Sequence, residues 1–189
     1  MQTAPEPTRK LFTVDEFEKM ADAGIFPPES RLELIDGEII EMTPVGGRHV
    51  TCVFAVEDYL RAVARPELRV ATQNVLRLAD GSPWPDITLL RRDRLVPGEL
   101  PRGDACVLVV EVADSTVLHD RNKKRLAYAR AGIPEYWVID LQQNTLVAHR
   151  QPRAGDYDAI AEHARGTSFV SPALDGREVP VDPFLPSAG

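Results

Sequence analysis

Long apolar runs are missing from this sequence. No stretch approaches the ~18 consecutive apolar residues of a membrane-crossing helix, so no transmembrane helix is expected. The opening MQTAPEPTRK has no apolar core of a secretory leader either. Cysteine is scarce: Cys52 and Cys106 stand alone, each inside an apolar stretch (TCVFAV and ACVLVV), and both read as small buried hydrophobes. Two such residues exclude a disulfide scaffold and a cysteine-rich zinc site, and a reduced, cytoplasmic setting is the expectation. Glycine (12) and proline (16) are too few for a fibrous protein. Positive charge is in deficit: 22 Lys and Arg against 29 Asp and Glu leave −7. That balance disfavours broad coating of nucleic acid, which depends on cations neutralising phosphates. It leaves open a metal enzyme acting on phosphodiesters, because a divalent cation inverts the charge around it. No phosphate-binding P-loop, dinucleotide fingerprint or nucleophile elbow occurs.

What remains is ordinary globular material, 43% hydrophobic and 27% charged over 189 residues. The length suits one domain. Residues 1–10 read as a disordered lead-in and 11–185 as a single domain. Thr13 caps a short helix over 14–23, stopped by Gly24. In RLELIDGEIIEM the Asp36-Gly37 pair predicts a two-residue hairpin, with Ile35 facing Glu38 and Glu33 facing Ile40. A helix opens at Gly46-Gly47 and runs to about Arg65; His49, Val53, Val56, Leu60 and Val63 form its inward stripe. LRVATQNVLRL reads as a strand, DGSPWP as a loop, PDITLL as a short strand and RRDRLVPGELPRGD as a long polar connection. CVLVVEVA (106–113) is apolar on both faces, the mark of a central strand covered on both sides. Asp114-Ser115-Thr116 then turns and caps a helix over 117–131. EYWVID and NTLVAHR form a hairpin, and YDAIAEHA with a second Asp-Gly hairpin (ALDGREVPV) completes the chain.

Glu111 is the residue that does not belong. Within VLVVEVA its neighbours demand burial, and an isolated ionised carboxylate there costs several kcal/mol. Either it ends the strand and reaches water, or it meets a cation. If PDITLL and CVLVVEVA run antiparallel about Pro97-Gly98, Asp86 falls beside Glu111. Two carboxylates held together repel unless a cation bridges them, and Mg²⁺-like hard cations favour that oxygen environment. Asp120, Lys124 and Tyr128, four apart, share one helix face. They are an exposed pair on the surface, or Lys124 leans over the sheet onto the carboxylates.

Together these residues resemble the PD-(D/E)XK nuclease superfamily, with Pro85-Asp86 as its Pro-Asp and Glu111 as its acid. More closely the chain resembles the Uma-type restriction endonuclease family, formerly a domain of unknown function. The resemblance is carried by ELIDGE (33–38), Gly46-Gly47-x-His49, PDI (85–87), VEVADST (110–116), DRNKK (120–124) and YARAGIPEYWVID (128–140), and covers about 11–185. It implies an α/β (α+β) fold, a mixed β-sheet flanked by helices, with a restriction-endonuclease-like core and extra β-hairpins. The lysine expected two positions after the acid is replaced by Ala113, so the resemblance moves that role to Lys124; Lys123 points about 100° away around the helix.

The implied activity is metal-dependent hydrolysis of DNA phosphodiester bonds by a cytoplasmic endonuclease. Asp86, Glu111 and the Val112 carbonyl would hold Mg²⁺ or Mn²⁺, Glu33 would complete the acidic cluster, and Lys124 would orient the attacking water. His49, Gln73, Trp84 and Asp120 are placed as substrate-binding or supporting contacts. DNA is the expected partner, with a homodimer as the simplest way to cut both strands and no membrane partner. Two competing readings keep the fold: an inactive module that binds nucleic acid or a partner protein, and a structural cluster in which Lys124 neutralises Glu111. Tyr128, Tyr136 and Trp137 read as core, and His119, His149 and His163 as surface residues.

Overall fold

The fold comes from a computed structural model that describes residues 8–114 and 118–186, with backbone alone over 118–121. Among the described residues no helix is long and apolar enough to cross a membrane. Helix α1 (Val14–Asp22) starts at Thr13 through a reciprocal cap. The Glu16 amide donates to Thr13 Oγ1 at 3.2 Å and the Thr13 amide donates to Glu16 Oε2 at 2.8 Å. Of the expected lead-in, residues 1–7 lie outside the described residues. Arg9 and Lys10 make exposed ion pairs with Glu38 and Glu16.

Strands β1 (Leu32–Ile35) and β2 (Glu38–Glu41) form the first hairpin, in the register expected from its turn: Glu33 pairs with Ile40 and Ile35 with Glu38. Asp36 (φ 50°) and Gly37 (φ 76°) both occupy the left-handed region, as a two-residue turn of this twist requires. The hairpin docks on the loop that precedes Asp86. Leu34 and Ser82 exchange backbone hydrogen bonds of 2.8 and 3.3 Å. Glycine at position 81 permits the approach, since a Cβ there would stand 2.7 Å from the Leu34 carbonyl oxygen.

The main sheet has six strands in the order β3 (Leu68–Thr72), β4 (Ile87–Arg91), β5 (Cys106–Ala113), β6 (Glu135–Asp140), β7 (Thr145–Arg153), β8 (Asp156–Ala164). Only β5 and β6 are parallel; the others pair antiparallel. The parallel step needs a crossover, and α3 (Leu118–Arg130) supplies it. Helix α2 (Gly47–Val63) covers one face with the hairpin β9 (Ser168–Ser171) and β10 (Arg177–Pro180). Val56, Leu60, Leu108, Val110, Trp137 and Phe184 meet in that core. On the other face α3 packs Ala127 and Tyr128 against Val109, Tyr136 and Leu76. Strand β5 therefore buries both its faces. Glu111 follows Val109 two positions on, so alternation turns it toward α3.

Three expectations need correction. The strand expected through Leu78 ends at Thr72, because Gln73 adopts φ 46° and turns the chain. The turn lets Leu76 and Leu78 enter the α3-side core. His149 is not a surface residue: it is buried, stacked 5.1 Å from the Tyr136 ring. His163 is half-buried and stacks on Phe169 at 4.8 Å. Both lie on antiparallel strands whose side chains the polar sequence pattern disguised. The side chain of His119 and the expected cap at Ser115-Thr116 lie outside the described residues.

Candidate active site

The β4–β5 register places the acids. Ile87 pairs with Val110, Thr88 with Val109 and Leu89 with Leu108. One further step in the same register sets Asp86 opposite Glu111, and directly opposed residues share a face. The ladder is irregular between Leu89 and Leu90, at the far end, so the site end keeps its register. Asp86 is 8% exposed. Its Oδ2 accepts the Val112 amide at 2.8 Å and lies 3.1 Å from His49 Nε2. His49 comes from the first turn of α2, at the start of its inward stripe.

Glu33 comes from β1 and is 1% exposed. Its Oε1 accepts the Trp84 amide at 2.7 Å and the Lys124 ammonium at 2.8 Å. Lys124 also donates to Glu111 Oε1 at 3.0 Å, and the Tyr128 hydroxyl donates to the same oxygen at 2.8 Å. Each of the three carboxylates thus commits one oxygen to the scaffold. Their second oxygens have no hydrogen bond to the described residues.

Burial raises the Glu111 carboxyl from its usual 4.5 to about 7. The Lys124 charge opposes that shift, while Asp86 and Glu33 reinforce it. Burial alone would lower Lys124, but Glu111 and Glu33 outweigh it and hold the ammonium above its usual value. At His49 burial disfavours the charged ring, yet the hydrogen bond and charge of Asp86, with Glu111 and Asp114 beyond, raise it. The Tyr128 hydroxyl is held far above its usual value by burial and by Glu111.

These groups floor a cavity of about 380 Å³ roofed by the β1–β2 hairpin and the segment after it. Glu33, His49, Trp84, Asp86, Glu111, Val112 and Lys124 all line it. Gln73 does not: its side chain is exposed, and it contributes through its backbone, whose carbonyl accepts Trp84 Nε1 at 2.5 Å. The Asp120 side chain lies outside the described residues. Lys123 lines the cavity from its neighbouring helix position and pairs with Glu38. Two contributors went unread in the sequence. The Tyr128 ring is core, as expected, but its hydroxyl belongs to the site; its spacing four residues after Lys124 was the available signal. Arg31, at the mouth, carries no motif; its guanidinium lies over the Trp84 ring at 5.1 Å.

Among the described residues no three His, Cys, Asp or Glu side chains already stand as a metal-binding group. The donor chemistry nevertheless fits a hard divalent cation: three carboxylates each keep an oxygen with no hydrogen bond to the described residues, and Val112 adds a backbone carbonyl. Ala113 directs its carbonyl toward β6, where it accepts the Leu141 amide at 2.9 Å. Alternation along the strand turns the Val112 amide and carbonyl the other way, to the side of Asp86. The ammonium of Lys124 supplies positive charge between two of the acids, and a cation would compete with it there.

The sequence model of a family described as Uma2, "Putative restriction endonuclease", matches residues 14–182. No curated protein matches at a significant level. Among solved structures, a similar fold occurs in the crystal structure of "a putative nuclease belonging to DUF820 from Anabaena variabilis ATCC 29413". The TM-score is 0.73 at 21% identity, over 92% of this chain and 97% of that one. At that identity the likeness is one of fold.

Proposed function

This chain belongs to the Uma2 restriction endonuclease family, and from that premise we propose that it is a Mg²⁺- or Mn²⁺-dependent nuclease hydrolysing DNA phosphodiester bonds. The observation that carries the reading is the meeting of Asp86, Glu111, Glu33 and Lys124 from four separate elements in one cavity. A strand, a loop, a hairpin and a helix converge there at the expense of burying three acids.

Asp86, Glu111 and the Val112 carbonyl are the groups that would hold the ion. When bound, the ion would polarise the phosphoryl oxygens and acidify a coordinated water. The rest falls to the chain's own residues. His49 and the Val112 amide fix the Asp86 carboxylate by two hydrogen bonds to one oxygen. Glu33 and Glu111 aim the Lys124 ammonium into the cavity. From there it orients the attacking water and offsets charge that grows on the phosphoryl group as one P–O bond forms and another breaks. Trp84 walls the substrate, Gln73 steadies Trp84 through its carbonyl, and Asp120 is assigned a supporting contact on the α3 side. A cytoplasmic homodimer remains part of the proposal, resting on the free buried Cys52 and Cys106 and on the need to cut two strands.

The test is a Mn²⁺ and Mg²⁺ titration by calorimetry, with cleavage of DNA measured alongside, for wild type, Asp86→Ala and Asp86→Asn. The expected result is loss of metal heat and of cleavage in both variants with melting retained in at least the isosteric Asp86→Asn. Cleavage that survives in either rejects the assignment. One observation favours a second reading, a module that binds nucleic acid without turnover: Lys124 and His49 already pair with one oxygen of each acid without any ion. Binding with no cleavage in either metal would select it.

A further inference from the structure

Hydrogen bonding at the three acids of the cavity is lopsided in the same way each time. Asp86 Oδ2 meets the Val112 amide at 2.8 Å and His49 Nε2 at 3.1 Å. Glu33 Oε1 accepts the Trp84 amide at 2.7 Å and the Lys124 ammonium at 2.8 Å. Glu111 Oε1 accepts the Tyr128 hydroxyl at 2.8 Å and the same ammonium at 3.0 Å. Each oxygen of a carboxylate has about two lone-pair positions, so two donors fill it. Among the described residues the other oxygen of each acid accepts no hydrogen bond. Every acid is thus held so that it offers an ion one oxygen, and can offer the second only by giving up hydrogen bonds.

That constraint separates hard cations. Ca²⁺ takes ~6–8 oxygens and commonly both oxygens of a carboxylate, whereas Mg²⁺ demands a compact octahedron and keeps several waters. One oxygen per acid therefore suits the smaller ion. At Glu111 the two donors differ in how firmly they hold. An incoming cation repels the Lys124 ammonium, which can shift on its flexible four-carbon stem. The Tyr128 hydroxyl is neutral, and its ring is fully buried and packed edge-on against Tyr136, with centroids 5.1 Å apart. A side chain fixed in the core in this way cannot swing aside, so the hydroxyl keeps its oxygen when the ammonium yields.

We propose that Tyr128 is a specificity-determining residue of the metal site: its hydroxyl, by holding one oxygen of Glu111, confines that acid to single-oxygen ligation and so favours Mg²⁺ over Ca²⁺. The inference rests on the metal-dependent reading for the presence of an ion, and adds how the ion is chosen. Tyr128 is a positioning residue, acting through Glu111.

The test is metal competition on the full chain without DNA. Mn²⁺ is bound first, and its free-ion paramagnetic resonance signal is followed as Mg²⁺ or Ca²⁺ displaces it, for wild type and Tyr128→Phe. The variant keeps the ring and removes only the hydroxyl. The ratio of Ca²⁺ to Mg²⁺ affinity is expected to rise at least about tenfold in Tyr128→Phe, the scale of one hydrogen bond to a charged group. Structural loosening would weaken both ions together and leave the ratio where it was. An unmoved ratio, or one that moves toward Mg²⁺, would therefore overturn the proposal. Wild type provides a check that needs no variant: Ca²⁺ displacing Mn²⁺ as well as Mg²⁺ does, or better, would also overturn it. A wild type that takes up no Mn²⁺ would overturn it together with the metal-dependent reading. Cleavage of DNA is measured separately. A shifted ratio in a chain that cuts no DNA in Mg²⁺ or Mn²⁺ would keep the proposal and defeat the nuclease reading; cleavage with an unmoved ratio would do the reverse.

Discussion

The ammonium of Lys124 meets the carboxylate of Glu33 at 2.8 Å, joining α3 to a hairpin strand 91 positions away in the chain. The same ammonium reaches Glu111 at 3.0 Å, so a single cation holds the hairpin, the helix and the central strand around the cavity. Buried ion pairs contribute little net stability when intact, but removing one partner leaves an uncompensated charge. That asymmetry sets the first prediction.

Lys124→Met should destabilise the protein by about 3–5 kcal/mol at neutral pH, because among the described residues Glu33 then keeps only the Trp84 amide and Glu111 only the Tyr128 hydroxyl. Urea unfolding measures it. An unchanged midpoint would mean that the ammonium is not what holds these acids.

Glu111 should make stability fall as pH rises. Its folded pKa, about 7, lies above the usual 4.5, so between those values the folded chain binds more protons than the unfolded one. The neutral acid is fully tolerated below about 4.5, and the penalty is complete above about 7. Glu111→Gln should therefore gain stability relative to wild type as pH rises through that window. The observable is the difference between the two unfolding free energies at each pH; a difference independent of pH would contradict the assignment.

His149 has the opposite sign. Burial pushes it down to about 4, with Arg125 adding to the shift and the Tyr136 carbonyl opposing it. Its contribution is present above about 6.5 and is lost as pH falls toward 4. His149→Phe, which preserves the stack on Tyr136, should lose less stability than wild type over that acid range. Thermal melts at pH 7 and near pH 4 compare the two; parallel losses would show that His149 does not titrate with unfolding.

Glu135 is a buried carboxylate with no cation beside it among the described residues. Trp137 Nε1 donates to one oxygen at 2.8 Å; Ser171 Oγ at 2.8 Å and the Ala173 amide at 2.9 Å donate to the other. Glu135→Ala strands two buried donors, Trp137 Nε1 and Ser171 Oγ, each costing about 1–3 kcal/mol, and the half-buried Ala173 amide. A loss of at least about 3 kcal/mol is expected, with metal binding at the distant cavity unchanged in the molecules that remain folded. Calorimetry under native conditions checks the second half, and a melting temperature within a degree of wild type would refute the first.

Much of the frame was legible because its determinants are local. Asp36-Gly37 specifies a left-handed turn and so sets the partner of Glu33. The apolar run of β5 specifies a strand buried on both faces, and the turn dipeptide Pro97-Gly98 was enough to bring Asp86 opposite Glu111. The Lys124–Tyr128 spacing puts both on one helix face by helical geometry alone. What the sequence could not decide is where those faces land. Gln73 leaves its strand because packing of Leu76 and Leu78 outweighs the strand pattern around it. His149 is buried because Tyr136 and Tyr157, from the strands on either side of β7, flank it. Lys124 takes Glu33 as well as Glu111 because the Gly81–Leu34 contact brings the hairpin down onto the helix. Local conformation follows from neighbours along the chain, whereas the partner of a buried charge is chosen by whichever elements packing forces together, and only the tertiary structure contains that choice.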